Sequence, residues 1–136
     1  MTTQTDPTFV IVGAGGISRS YAQAFQQGLP YQLVGAADIR IESAREVAAM
    51  VDGKAYDDVD RMVSDLSPTA AIVCTPPSTH PDVCIRLMEQ GVHVLCEKPL
   101  AISTEEAIRM ASTAERCHVV FSMGSKFRFV ADVQKA

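Results

Sequence analysis

Four short segments of this chain carry groups that can do chemistry, each at the end of an apolar run. The stretch "VIVGAGGIS" sets Gly13, Ala14, Gly15, Gly16 and Ile17 directly behind β-branched residues. Glycines at this spacing give a tight turn with bare backbone, and the amides of a helix opening there point at an anionic group such as a pyrophosphate. "AADIR" ends a second run on Asp38, followed by Ile39 and Arg40. An acid about twenty residues beyond the glycines accepts hydrogen bonds from ribose hydroxyls and repels a 2'-phosphate. "CTPPSTH" supplies Cys74, Thr75, Pro76, Pro77 and His80. Its paired prolines predict an extended, rigid loop that needs no ladder donors and suits the face of a flat ring. "CEKPLA" supplies Glu97 and Lys98. A lysine held extended by Pro99 aims its ammonium into a cleft, where it stabilises negative charge developing on a substrate oxygen and assists proton transfer.

Taken together the segments point to a nicotinamide dinucleotide, with NAD favoured by Asp38 and NADP kept possible by Arg40, which is able to stack on adenine or meet a phosphate. Plainer readings stand beside each. The glycines suit a tight turn alone, and S-adenosylmethionine methyltransferases use similar loops. Asp38 suits a helix cap, His80 a helix start, and a Glu-Lys pair a solvated surface. The third glycine of G-x-G-x-x-G is replaced by Ser18, small enough to keep a helix close to its strand. P-loop chemistry is excluded, because "GAGGIS" has no G-K-[ST] ending.

Elements that would hold these groups alternate along the chain. Strands are predicted at Thr8 to Gly13, Tyr31 to Asp38, Lys54 to Tyr56, Ala70 to Cys74, in "VHVLCE", and at His118 to Gly124. Between them lie helical stripes: Ile17, Tyr21, Ala24 and Phe25; Ala44, Val47, Ala48 and Val51; Val59, Met62, Val63 and Leu66; Val83, Cys84, Leu87 and Met88; Ala107, Ile108, Ala111 and Ala114. Pro81 suits a first helical turn, and Ser103 with Glu106 reads as a capping box. Alternation of this kind predicts an α/β fold, a doubly wound parallel sheet in three layers, with ligands bound outside the carboxyl ends of the strands where strand order reverses. In an order 3-2-1-4-5-6 all four segments meet at that edge.

Composition narrows the partners. The 136 residues carry a net charge of −4, and the one basic cluster, Lys126 and Arg128, is short, so no nucleic-acid or anionic-membrane footprint is expected. No run approaches a membrane span and the polar start "MTTQTDPT" is unlike a signal peptide, which predicts a cytoplasmic protein. Cys74, Cys84, Cys96 and Cys117 are too far apart for a C-x-x-C pattern and read as reduced, buried small hydrophobes. No metal site is expected.

"GAGGIS", "AAD", "CTPPSTH", "RLMEQGVHVLCEKPLA", "STEEA" and "KFRF" together resemble the N-terminal domain of the Gfo/Idh/MocA (glucose-fructose oxidoreductase and myo-inositol dehydrogenase) family. The resemblance implies a Rossmann fold and NAD(P)-dependent hydride transfer at a hydroxyl carbon of a sugar, cyclitol or related compound. It also implies that Lys98 is catalytic or substrate-orienting and that Glu97 lies beside the nicotinamide riboside. Such enzymes carry a second domain that supplies the substrate pocket. On this reading residues 1–124 form the dinucleotide-binding domain and 125–136 begin the connection onward; nucleotide binding with little turnover is expected of the chain. A stand-alone nucleotide-sensing or interaction module is the alternative. Phe127, Phe129 and Val130 would meet the second domain, and self-association follows if they are left uncovered.

Overall fold

In β1 (Thr8–Val12) the side chains alternate between the two faces of the sheet: Val10 and Val12 enter one core and Ile11 the other. A strand apolar on both faces must be covered on both, and the computed structural model, which describes residues 6–125, shows that it is. The remaining strands are β2 (Gln32–Ala37), β3 (Lys54–Tyr56), β4 (Ala70–Val73), β5 (His93–Glu97) and β6 (Phe121–Gly124). All pair in parallel, in the order β3-β2-β1-β4-β5-β6. This is the expected doubly wound sheet, and its order reverses between β1 and β4.

The helices are α1 (Gly16–Gln26), α2 (Ile41–Ala49), α3 (Val59–Leu66), α4 (His80–Glu89) and α5 (Thr104–Cys117). Ala22 of α1 with Val47 and Ala48 of α2 cover Ile11, Ala36 and Ile72 on one face. Met62 and Val63 of α3, Leu87 and Met88 of α4, and Met110 and Ala114 of α5 cover Val10, Val12, Val73 and Val94 on the other. Side chains start two of these helices. Asp58 accepts the Arg61 amide, and Ser103 accepts the Glu106 amide while Glu106 reaches back to the Ile102 amide.

Three expectations change. In α5 the buried side is Met110, Thr113 and Ala114, whereas Ile108 is 61% exposed and Ala111 is exposed. The helix turns Met110 onto α4, and Ile108 lies on the opposite side. In α1 the inward positions are Ser18, Tyr21, Ala22 and Phe25, with Ile17 turned outward. The last strand begins at Phe121, because His118 closes α5 in a left-handed conformation with φ 54°. Lys126, Phe127, Arg128, Phe129 and Val130, and the connection expected at 125–136 apart from Ser125, lie outside the described residues.

Candidate dinucleotide site

Because the strands are parallel and in register, Val12, Ala37, Val73 and Cys96 lie side by side, and the four chemistry-bearing segments all emerge from the same edge. They are tied to one another by hydrogen bonds and close packing. Gly13 has φ +92°, and a Cβ there would meet the Thr75 amide nitrogen at 2.6 Å and Cys74 carbonyl carbon at 2.7 Å. The glycine therefore serves both the turn and the close approach of the β4 loop. Asp38 Oδ2 accepts the Ala14 amide at 2.8 Å, and its Oδ1 accepts the Arg40 amide at 2.8 Å. These bonds hold the carboxylate beside the glycine turn and leave each oxygen a further lone pair.

Gly15 and Gly16 look onto open space, with nothing within 4 Å of where a Cβ would stand. Gly15 is the N-cap of α1 and offers no side-chain cap, so the first-turn amides stay available to an anion. Ser18 is fully buried and its hydroxyl donates back to the Gly15 carbonyl, which is how serine fits the place of the third glycine. Ile39 is 94% exposed, and the Arg40 side chain stands outward beside it with Nε 4.0 Å from Asp38 Oδ1. An isoleucine so placed offers an apolar platform to a flat base. The backbone and side chains present therefore fit a dinucleotide: an open anion cradle, a fixed carboxylate and an exposed apolar shelf.

On the other side of the reversal point, Pro76 is extended (φ −58°, ψ 146°), but Pro77–Thr79 coil into a 3-10 turn, so the expected rigid extension ends at Pro76. The Thr79 hydroxyl lies 2.8 Å from both the Thr75 hydroxyl and the Pro76 carbonyl oxygen. His80 opens α4 as expected, yet its ring is 1% exposed. Nε2 faces the Thr75 carbonyl at 2.8 Å, and Nδ1 faces those of Pro99 and Leu100 at 3.0 and 3.3 Å. The imidazole thus bridges the β4 and β5 loops from inside, a role its position in the sequence does not disclose.

Glu97 and Lys98 do not pair with each other. Glu97 Oε1 accepts the Tyr21 hydroxyl at 2.6 Å and Oε2 accepts the Lys98 amide at 3.2 Å. Among the described residues no carboxylate pairs with the Lys98 ammonium, and the side chain is exposed. The Lys98–Pro99 peptide bond is cis. Cys74, half-buried beside this carboxylate, has its thiol pushed up to about 12 by burial, then by the charge of Glu97 and by Cys96. All four cysteines are free; Cys84 and Cys96 are buried, and Cys74 and Cys117 half-buried. Among the described residues no three His, Cys, Asp or Glu side chains gather to hold a metal ion, and no helix is long and apolar enough to cross a membrane.

Residues 8–125 match the family model GFO_IDH_MocA, described as an oxidoreductase family with an NAD-binding Rossmann fold. The chain belongs to this family. It is 38% identical over 123 residues to glucose-6-phosphate 3-dehydrogenase of Bacillus subtilis, covering 90% of this chain and 35% of that enzyme. The solved structure of UDP-N-acetylglucosamine 3-dehydrogenase from Acidithiobacillus ferrooxidans superposes with a TM-score of 0.87 at 32% identity, covering 97% of this chain and 42% of the other. The WlbA dehydrogenase from Bordetella pertussis, solved with NADH and UDP-GlcNAcA, superposes at 0.90 with 26% identity, covering 96% and 41%. The chain thus spans little more than a third of the length of the curated relatives it matches. It is an NAD-binding Rossmann domain of the Gfo/Idh/MocA family.

Proposed function

We propose that this domain holds the cofactor of a dehydrogenase that moves hydride between nicotinamide and a hydroxyl carbon of a sugar, cyclitol or related small polyol. One observation carries the reading furthest: Lys98, exposed and without a carboxylate partner among the described residues, stands on the same sheet edge as an open glycine cradle and a braced Asp38. Gly13, Ala14, Gly15, Gly16 and Ile17 would seat the pyrophosphate. Asp38 would receive the adenosine ribose hydroxyls, with Ile39 and Arg40 against the adenine. Cys74, Thr75, Pro76 and Pro77 would border the nicotinamide, with His80 holding that loop and Glu97 beside the riboside. Nicotinamide, when bound, supplies the hydride acceptor or donor.

The chain's own part in the chemistry falls to Lys98. Its ammonium would hydrogen-bond the substrate oxygen, favour the charge that develops there, and keep the proton in transit close to that atom. Positioned charge of this kind acts on the reaction step more than on cofactor affinity. The curated relatives act on glucose 6-phosphate, UDP-N-acetylglucosamine and myo-inositol, which supports a polyhydroxylated substrate. Self-association belongs to the same reading, and a clean monomer in sedimentation at high concentration would count against it.

Titration of the chain with NAD, NADH and NADPH by fluorescence and calorimetry tests the proposal. Micromolar binding with NADH preferred over NADPH is expected, and Lys98→Ala should leave the affinities within about twofold. No binding of any of the three would overturn it.

A further inference from the structure

We infer that Tyr21 is a positioning residue for the nicotinamide end of the site, acting through Glu97. The inference rests on the cofactor reading above. Tyr21 lies on α1, the helix that opens at the glycine turn, yet its hydroxyl reaches across to Glu97 Oε1 at the end of β5. A third element makes room for this bond. At Gly124, which ends β6, a Cβ would stand 2.8 Å from the Tyr21 oxygen and 3.2 Å from Glu97 Oε1. Three elements far apart in sequence therefore converge on one hydrogen bond, and any side chain larger than hydrogen at position 124 would crowd it.

The chemistry runs in one direction. Burial raises the affinity of the Tyr21 oxygen for its proton, and the neighbouring Glu97 raises it further, so the phenol stays a donor and the carboxylate the acceptor. A carboxylate on a freely rotating side chain would sample several rotamers. Glu97 is instead held at both oxygens, by a phenol on one and the Lys98 amide on the other. That double hold fixes a negative charge at the strand end from which Lys98 projects. It also couples the helix that receives the pyrophosphate to the residues that face the ring, so seating one end of the dinucleotide pre-forms the other.

Two nucleotides separate positioning from mere support of the fold: NADH, which carries the nicotinamide riboside, and ADP-ribose, which ends before the ring. Tyr21→Phe keeps the buried ring and removes only the donor. It should weaken NADH by at least about threefold, with ADP-ribose held within about 1.5-fold, since preorganisation is lost only at the ring end. The emission of bound NADH should also move back toward that of the free cofactor. Gly124→Ala, which disturbs the same bond from β6, should give the same pattern and serves should Tyr21→Phe fail to fold. Equal loss for both nucleotides, or no loss for either, overturns the positioning role. A parent chain that binds neither nucleotide overturns the cofactor reading itself, and the inference with it.

Discussion

Asp38 and Ala14 meet at 2.8 Å, carboxylate to backbone amide, across the gap between the ends of β2 and β1. The contact makes the acidic residue part of the glycine turn. Removing the carboxylate should act twice, freeing the turn and deleting the acceptor for ribose hydroxyls. For Asp38→Ala, NADH affinity should fall by about tenfold or more, the scale of a lost bond to a charged group. NADPH should lose less, because the repulsion of its 2'-phosphate disappears with the charge. Parallel titrations check this, and an equal loss for the two nucleotides would restrict Asp38 to bracing the turn.

His80 offers a stability test that is independent of any nucleotide. Its ring fills a buried position, with its two nitrogens facing carbonyls on two loops. His80→Ala removes the ring from between the Thr75 and Pro99 carbonyls, with the hydrogen bonding it supplies there, and opens a void behind them. A loss of about 2–4 kcal/mol is expected from such a change, read as a lower urea midpoint with the slope unchanged. A midpoint within error of the parent would show that the two loops hold together without the imidazole.

The parts of this arrangement differ in how plainly they are written in the sequence. β1, β2, β4 and β5 are short apolar runs bounded by turn residues, so their type, and the sheet edge that carries Gly13, Asp38, Thr75 and Glu97, follow from local pattern. The Tyr21–Glu97 bond joins residues on different elements far apart in the chain. No spacing rule reaches that far, and the only hint is that a half-buried phenol one turn into a helix must find a partner for its hydroxyl. His80 is similar, since its partners are backbone carbonyls, which carry no residue signature. The misread face of α5 has a different cause. Ile108 and Ala111 are apolar enough to draw a stripe, but Met110 and the small Thr113 fit against α4, with the Thr113 hydroxyl satisfied by the Arg109 carbonyl at 2.9 Å.

That corrected face can be measured. Met110 is fully buried among side chains of the larger core, so Met110→Ala should cost about 2–5 kcal/mol, the range for deleting a large core side chain. Ile108→Glu, at an exposed position, should change stability by less than about 0.5 kcal/mol. Urea midpoints for the two variants compare them directly. The reverse ranking would restore the stripe through Ile108.

Alkaline pH should expose the buried thiols. Cys74 is pushed up to about 12, chiefly by burial, and Cys84 is raised by its contact with Cys96 and then by burial. Tyr21 is raised by burial and by Glu97. In the unfolded chain the thiols ionise near 9.0 and the phenol near 10.0, whereas in the fold all three keep their protons beyond those values. Above about pH 9 the unfolded state therefore binds fewer protons than the native state, and stability falls as pH rises. The stabilisation is fully present below that pH and is lost as pH climbs toward the native-state values. Each thiol contributes up to about 1.4 kcal/mol per pH unit in this window. Urea midpoints should stay level between about pH 7 and 8.5 and then decline. Cys74→Ala, which removes one of the linked groups, should decline less steeply over the same range. Identical slopes for parent and variant would mean that Cys74 is not held protonated by the fold.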